Sequence, residues 1–209
     1  MQEPVGSVWP MLFLYESLLN RIKITLGDAT HRTIALMLEL PKFTLVLGGI
    51  SSGKSAFAEG LAQSAGRPVT YFATAEAHDA EMETKIAEHR NRRAGLGWST
   101  IEAPLDLSAL ATTHDVVLLD CLTMWISNHM GADRDLKPLG RNLREIATQS
   151  PASIIAVSNE VGLGGIADNP TARHFAKAQG AVNQEIAQFA DLVVLVTAGL
   201  PLAIKGKLP

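Results

Sequence analysis

The residues best suited to chemistry lie between Gly48 and Ser55, which read Gly-Gly-Ile-Ser-Ser-Gly-Lys-Ser. This stretch fits G-x-x-x-x-G-K-[ST], the pattern of a phosphate-binding loop (P-loop), in which glycines let backbone N–H groups approach phosphate oxygens closely. In such a loop Lys54 would reach the β- and γ-phosphates of a nucleotide, and the hydroxyl of Ser55 would ligate Mg²⁺. The alternative is a glycine turn with a chance Lys-Ser pair, so the flanking residues must decide.

The flanking residues supply the elements that a P-loop needs. Residues 43–47 are a short apolar run rich in β-formers, which predicts a strand, and residues 56–65 carry apolar side chains at helical spacing. A helix that begins after the loop adds partial positive charge where phosphate binds. Strand, glycine loop and helix therefore follow in the order that phosphate binding requires.

Strand and helix patterns alternate from residue 43 onward, which predicts an α/β fold with a mostly parallel sheet and helices on both faces. We assign residues 1–40 to an N-terminal extension and residues 41–209 to one P-loop domain. Predicted strands cover 43–47, 69–73, 98–102, 116–119, 153–157, 192–196 and 202–205, and predicted helices cover 56–65, 79–92, 105–112, 122–129, 137–149 and 171–189.

Composition narrows the class of protein. The chain has 209 residues, of which 47% are hydrophobic, enough for the core of one α/β domain. A formal net charge of −3 provides no basic footprint, so we expect no nucleic-acid partner. The single cysteine, Cys121, fits a reducing cytosol, and no apolar run reaches the roughly 18 residues that a membrane span needs. We therefore expect a cytoplasmic protein without a transmembrane segment.

The first 40 residues give the weakest pattern. The run at 9–14 is apolar, but no Lys or Arg precedes it, as a secretory signal would require. The segment is predicted either as an amphipathic helix that packs on the domain or on a partner, or as a poorly ordered extension. Met37 lies six residues before the first predicted strand and is a second candidate for the natural start.

Residues that follow predicted strands carry most weight, because ligands bind beyond the carboxyl ends of parallel strands. Asp120 ends the apolar run at 116–119, which is the Walker B arrangement of a carboxylate that holds Mg²⁺ directly or through water. Its alternative role is a cap for the following helix. After the next strand come Asn159 and Glu160, where Glu160 would orient a substrate hydroxyl or the metal shell, or remain a solvated loop acid.

A histidine near the end of the second predicted helix is a candidate nucleophile. His89 shares an apolar helix face with Met82 and Ile86. An arginine cluster follows it directly, at Arg90, Arg92 and Arg93. A neutral imidazole can act as a nucleophile, and adjacent arginines would bind a triphosphate and lower the pKa of the histidine. The alternative is a histidine with solvated arginines that suit the helix C-terminus, and sequence pattern alone favours that interpretation.

A series of motifs recurs in the order found in a known family. They lie at 48–55, 71–75, 79–82 with Ile86, His89 and Arg90, 98–102, 119–125, 158–162, 172–175 and 180–184. Together they resemble the bifunctional adenosylcobinamide kinase/adenosylcobinamide-phosphate guanylyltransferases of cobalamin biosynthesis. The resemblance covers residues 43–205.

The resemblance implies two reactions on small-molecule substrates. The enzyme would phosphorylate the aminopropanol hydroxyl of adenosylcobinamide with ATP or GTP. It would then transfer GMP from GTP, through a guanylylated His89, to adenosylcobinamide phosphate, giving adenosylcobinamide-GDP. The implied fold is that of P-loop NTPases of the RecA-like type, the implied cofactor is Mg²⁺, and the implied assembly is a homotrimer.

The resemblance also assigns residues to the site. Lys54 and His89 would be catalytic, and Ser55 and Asp120 would hold the metal. A carboxylate at Glu102 can accept two hydrogen bonds from guanine's N1–H and 2-amino group, which adenine does not offer. The implied nucleotide contacts are Gly48, Gly49, Ile50, Ser51, Ser52, Gly53, Lys54, Ser55, Ala73, Thr74, Ala75, Arg90, Asn91, Arg92, Arg93, Glu102 and Asp120.

Two positions depart from the family pattern. Ser51 stands where a basic residue, often Arg, is usual, which puts one phosphate contact in doubt. Glu88 stands in place of a neighbouring second histidine, so His89 is the nucleophile that this segment offers.

Two other functions stay open on the sequence. One is a P-loop kinase of another small molecule, with His89 in a structural role, which would form no guanine-specific covalent adduct. The other is a nucleotide-dependent regulatory or assembly protein, which would bind nucleotide without turning over cobinamide.

Overall fold

One sheet organises the part of the chain that the structure describes. The computed structural model describes residues 39–77 and 80–209. The strands are β1 Phe43–Gly48, β2 Val69–Ala73, β3 Ser99–Glu102, β4 Val116–Asp120, β5 Ser153–Asn159, β6 Leu192–Thr197 and β7 Leu200–Lys205. They lie in the order β3-β2-β4-β5-β1-β6-β7, in which β1 to β6 run parallel and β7 pairs antiparallel with β6.

Helices follow most of the strands. The α-helices of the described residues are α1 Lys54–Ser64, α2 Ala80–Arg93, α3 Leu122–Gly131, α4 Leu139–Gln149 and α5 Pro170–Phe189, and short 3₁₀-helices lie at Ser108–Thr112 and Gly162–Gly164. The start of α5 is well marked, because the side chain of Asn169 accepts a hydrogen bond from Ala172 N at 2.7 Å and Pro170 takes the first turn. None of these described helices is long and apolar enough to cross a membrane.

The central strands are apolar along their length because both faces of the sheet are covered. In β1 all six positions are buried. Phe43, Leu45 and Leu47 pack into a layer with α3, α4 and α5, whereas Val46 packs into the opposite layer with α1. A strand buried on both faces is typical of a parallel sheet between helices. The predicted fold class, α/β with a mostly parallel sheet and helices on both faces, is confirmed.

The strand register gathers the predicted site residues along one edge of the sheet. Ala73 of β2 pairs with Glu102 of β3 and with Asp120 of β4. Gly48 of β1 pairs with Asn159 of β5. All five residues end their strands, and parallel strands present their carboxyl ends at the same edge. The P-loop and the acidic side chains therefore converge there.

One predicted helix is shorter than expected. The sequence predicts a helix at 105–112, and the structure has a 3₁₀-helix at Ser108–Thr112. The carboxylate of Asp106 accepts hydrogen bonds from the backbone N–H and the hydroxyl of Ser108, at 2.8 and 3.0 Å. These local bonds replace the first turn of an α-helix.

Parts of two predictions lie outside the described residues. The assigned N-terminal extension, residues 1–40, is described only at Glu39 and Leu40, so its extent stays a prediction. Leu40 itself is buried in the layer that contains Val46. Asp79, the first residue of the predicted helix 79–92, also lies outside the described residues.

Candidate functional site

A cavity of about 520 Å³ lies at the carboxyl edge of the sheet, where the P-loop, the ends of β2, β3, β4 and β5, and helix α2 contribute its lining. The predicted site residues that line it are Ile50, Ser51, Ser52, Gly53, Lys54, Ser55, Ala73, Ala75, His89, Arg90, Arg93, Glu102, Asp120 and Asn159. Residues from the P-loop, the Walker B strand and the arginine-rich helix thus share one cavity, although they are far apart in the sequence.

The P-loop is held in shape by its own backbone. A Cβ at Gly48 would lie 2.4 Å from Ser52 Oγ and 2.7 Å from the carbonyl oxygen of Val196, so the loop closes tightly only around glycine. Gly53 has φ 92°, a left-handed conformation that side chains rarely adopt. Lys54 Nζ donates to Gly49 O at 3.1 Å, which places the ammonium group across the loop where phosphate would bind.

Ser51 takes the position that departs from the family pattern. It adopts φ 57°, in the left-handed region, and it lines the cavity with an exposed side chain. A hydroxyl here can donate a hydrogen bond to phosphate but brings no charge, so cationic groups of the cavity come instead from Lys54, Arg90 and Arg93.

The carboxylate of Asp120 is buried and anchored by a tyrosine. The Tyr71 hydroxyl donates to Asp120 Oδ2 at 3.1 Å, and the guanidinium of Arg93 lies 3.5 Å from the centre of the Tyr71 ring. Burial, and next the charge of Asp120, hold the pKa of Tyr71 far above its usual value, so the phenol remains a donor. Arg93 is 8% exposed, and its Nη1 has no hydrogen-bond partner among the described residues, as expected of a group that awaits an anion.

His89 faces the same carboxylate. Its Nδ1 lies 3.7 Å from Asp120 Oδ2, and its side chain is 33% exposed. This distance exceeds that of an ordinary hydrogen bond. The histidine therefore opens onto the nucleotide cavity instead of lying inside the core.

Arg90 and Glu102 form an ion pair at the rim of the cavity. Arg90 Nη2 lies 2.9 Å from Glu102 Oε1, and the two side chains are 63% and 54% exposed. Such a pair contributes little to stability because water screens it. Both side chains can therefore exchange this contact for a ligand at low cost.

Some predicted residues do not line the cavity. They are Gly48, Gly49, Thr74, Asn91 and Glu160, and the side chain of Arg92 lies outside the described ones. Thr74 is fully buried and joins β2 to the end of β4, since its hydroxyl donates to Cys121 O and accepts from Cys121 N, both at 2.7 Å. These hydrogen bonds connect the residues that follow Ala73 and Asp120, and so fix the two strand ends relative to each other.

Several lining residues were not predicted as site residues. They are Ala56, Tyr71, Met82, Ile86, Cys121 and Met124. The helical spacing of Met82 and Ile86 was a usable signal, since it places them on the face of His89. Burial raises the pKa of the Cys121 thiol to about 11, with the charge of Asp120 as the next cause, so the thiol stays protonated and is a poor nucleophile.

The cavity suits a nucleotide-bound Mg²⁺ better than a protein-held metal. Among the described residues no group of three or more His, Cys, Asp or Glu side chains could hold a metal ion. Mg²⁺ in phosphate sites takes one or two protein ligands and completes its shell with phosphates and water. Ser55 and Asp120 both line the cavity, and the contacts of Asp120 to Tyr71 and His89 use Oδ2, which leaves Oδ1 for the cation.

Two curated proteins match most of this chain. The bifunctional adenosylcobalamin biosynthesis protein CobP of Pseudomonas aeruginosa (strain PAO1) is 41% identical over 169 residues, which are 78% of this chain and 97% of that protein. The corresponding protein CobU of Salmonella typhimurium (strain LT2) is 36% identical over 180 residues, covering 77% of this chain and 98% of that protein.

The fold is shared more widely. The solved structure of a prototypical ATPase from the type III secretion system of pathogenic bacteria has a TM-score of 0.50 at 10% identity, over 78% of this chain and 57% of that chain, a likeness of fold alone. The family model described as cobinamide kinase / cobinamide phosphate guanyltransferase matches residues 44–204. This chain therefore belongs to the cobinamide kinase / cobinamide phosphate guanyltransferase family.

Proposed function

We propose that the protein carries out two successive reactions in this one cavity. It phosphorylates the aminopropanol hydroxyl of adenosylcobinamide with ATP or GTP, and it then transfers GMP from GTP to the new phosphate, which gives adenosylcobinamide-GDP. Family membership supports both activities. The observation that carries the mechanism is that the P-loop and His89 line the same cavity.

The kinase half uses the P-loop. Backbone N–H groups of the loop and Lys54 bind the β- and γ-phosphates, and Lys54 exchanges its hydrogen bond to Gly49 O for a phosphate oxygen. Ser55 and Asp120 would hold Mg²⁺, which when bound would neutralise charge on the phosphates. The protein groups thereby favour the charge distribution of phosphoryl transfer over that of the bound substrate.

The transferase half uses His89. A ring nitrogen attacks the α-phosphorus of GTP; a P–N bond forms, the P–O bond to the leaving pyrophosphate breaks, and a guanylyl-histidine results. Because Nδ1 faces Asp120 Oδ2 at 3.7 Å, Nδ1 carries the proton toward the carboxylate and Nε2 is the attacking atom. A phosphate oxygen of adenosylcobinamide phosphate then attacks the same phosphorus and releases the histidine.

Two arginines stabilise the negative charge that builds up on the phosphates during guanylyl transfer. Arg93 is fixed on the ring of Tyr71 and offers its unpartnered Nη1 to a phosphate oxygen. Arg90 leaves Glu102 and joins the triphosphate, which frees both carboxylate oxygens of Glu102 for the N1–H and 2-amino group of guanine. Guanine recognition and phosphate binding are thereby linked through one exchange of partners.

Two expectations from the sequence remain. The single cysteine and the lack of a long apolar run predict a cytoplasmic protein, and the family resemblance implies a homotrimer. Size-exclusion chromatography with light scattering checks the assembly.

The experiment that tests the function follows the α-phosphate of GTP. Protein incubated with α-labelled GTP and Mg²⁺ should carry label through denaturing electrophoresis, and the adduct should survive alkali and break down in mild acid, as a P–N bond does. His89→Ala should lose the label and all guanylyl transfer but keep phosphorylation of adenosylcobinamide. His114→Ala, at an exposed histidine that precedes β4, is the matched control and should label normally. Wild-type labelling of His89→Ala would place the nucleophile elsewhere.

A further inference from the structure

A network of buried polar side chains lies beneath the carboxyl end of β5. Ser158 and Gln179 are fully buried, and Asn183 is 4% exposed. Ser158 belongs to β5, whereas Gln179 and Asn183 lie one turn apart on α5. Buried polar groups of this kind are costly unless they are hydrogen-bonded, so their arrangement is strongly constrained.

The hydrogen bonds of the network fix the orientation of the Asn183 amide. Asn183 Oδ1 accepts from Ser158 Oγ at 2.7 Å and from Gln179 Nε2 at 3.1 Å, and Gln179 Nε2 also donates to Ser158 Oγ at 2.7 Å. Rotating the Asn183 amide by half a turn would set its oxygen against two acceptors, Asn159 O and Glu160 Oε1. The amide oxygen of Asn183 therefore points inward and its Nδ2 points outward.

The outward nitrogen holds the segment that borders the P-loop. Asn183 Nδ2 donates to Asn159 O at 3.1 Å and to Glu160 Oε1 at 3.0 Å. Glu160 N also donates to Gly48 O at 3.1 Å. The backbone of Glu160 is thus tied to the first glycine of the P-loop, and its carboxylate is tied to a fixed amide of α5.

We propose that Asn183 is a positioning residue for the kinase reaction, because it holds the carboxylate of Glu160 as the base for the substrate hydroxyl. This inference rests on the proposed function. In this step, Glu160 accepts the proton of the aminopropanol hydroxyl while the oxygen of that hydroxyl bonds to the γ-phosphorus. The bond from that phosphorus to the bridging oxygen breaks, the nucleoside diphosphate leaves, and the proton later passes from Glu160 to water.

The alternative carboxylate is less suited to this role. Asp120 lines the cavity, but it is buried and accepts from the Tyr71 hydroxyl; Glu160 lies just beyond the cavity lining, next to the lining residue Asn159, and is partly exposed. Guanylyl transfer needs no such base, since the attacking groups are a ring nitrogen and a phosphate oxygen that carry no proton to remove. A defect at Asn183 should therefore affect phosphorylation and leave the His89 adduct intact.

The test compares Asn183→Ala, Glu160→Gln and the double variant in full-length protein. Phosphorylation of adenosylcobinamide is measured at varied ATP and acceptor concentrations, and adduct formation is measured with α-labelled GTP. We expect kcat for phosphorylation to fall about 100-fold in each single variant, the typical effect of a misplaced or missing base, with KM for ATP nearly unchanged. The double variant should lose no more than Glu160→Gln alone, because one residue acts through the other.

The controls separate positioning from folding. Gln184→Ala removes an exposed neighbour on α5 and should leave kcat unchanged. Asn183→Asp keeps the shape of the side chain but replaces the donor with an acceptor, so it should show the kinase defect even if Asn183→Ala does not fold. The adduct should form at the wild-type rate in every folded variant.

Four outcomes would overturn the inference: full kinase activity in Glu160→Gln, full kinase activity in the folded Asn183 variants, multiplying losses in the double variant, or a parallel loss of adduct formation. Failure of the wild-type protein to phosphorylate adenosylcobinamide or to form the adduct would instead contradict the proposed function.

Discussion

The cavity has two walls that are built on different principles. The sheet wall consists of the P-loop and the ends of β2, β4 and β5. Hydrogen bonds fix it, such as the two between Thr74 and Cys121 and the buried one that Tyr71 donates to Asp120. The helix wall is α2, and among its described side chains only Arg93 is buried. The ion pair of Arg90 with Glu102 is more than half exposed on both sides.

This difference matches the demands of the two reactions. Phosphoryl transfer gains most from groups that are already in place and need no reorganisation. In the proposed mechanism His89 receives GMP and then presents it to a second substrate. Such a role gains from an element with few buried contacts, because that element can move at a low cost in free energy. Substitutions in the two walls should therefore fail in different ways.

The largest effect is expected at the P-loop lysine. Lys54→Ala should lower phosphorylation of adenosylcobinamide about 10²–10³-fold, because it removes a cation from the developing phosphate charge. The fold should survive, since the Lys54 ammonium is partly exposed and bonds to the loop itself. Transfer of γ-label to adenosylcobinamide, with a thermal melt, measures both. Lys137→Ala, at an exposed lysine, is the control, and substantial activity in folded Lys54→Ala would contradict the P-loop assignment.

The next effect concerns base selectivity at the rim. Glu102→Gln should reduce the preference for GTP over ATP by about 1–3 kcal/mol, since guanine offers two donors and the amide keeps one acceptor oxygen. Isothermal titration with each nucleotide measures the two affinities. Glu145→Gln, on the exposed side of α4, should leave both unchanged. Equal losses for GTP and ATP would remove Glu102 from base recognition.

The smallest effect compares the stability of the two walls directly. Tyr71→Phe should lower the free energy of unfolding by about 1–2 kcal/mol, because buried Asp120 loses a hydrogen-bond donor. Arg90→Ala should lower it by about 0.5 kcal/mol or less, because its partner Glu102 is exposed. Urea unfolding measures both values. Equal losses in the two variants would show that the walls do not differ in rigidity.

The parts of the site that the sequence predicts are those that a contiguous motif or the periodicity of one element identifies. The P-loop is a contiguous motif, and Asp120 ends an apolar strand that periodicity identifies, so both were predicted at the correct edge of the sheet. His89 was harder, since a helix-end histidine has an ordinary structural explanation. Its placement beside Asp120 depends on how α2 lies over the sheet.

The parts that the sequence missed depend on contacts between distant segments. Tyr71 reads as one more apolar position in a strand, and its hydrogen bond becomes visible only when β2 pairs with β4. Asn183 sits within a predicted helix, 23 residues from Glu160 in sequence, and its role follows from the packing of α5 on β5. The segment 105–112 has helical spacing, but the bonds from Ser108 to Asp106 outweigh it.

The strand order also sets the distances between the predicted nucleotide contacts along the sheet edge. Glu102, Ala73, Asp120, Asn159 and Gly48 end the five neighbouring strands β3, β2, β4, β5 and β1. With strands about 4.8 Å apart, the distance along the sheet edge from Glu102 to Gly48 is roughly 19 Å, on the scale of an extended nucleoside triphosphate. Under the proposed function, a base bound at Glu102 and phosphates bound at the P-loop lie at opposite ends of this row of strands, and Arg90 is the group that connects them. A substitution at β3 that keeps Arg90 should therefore change base preference without a direct contact to the P-loop.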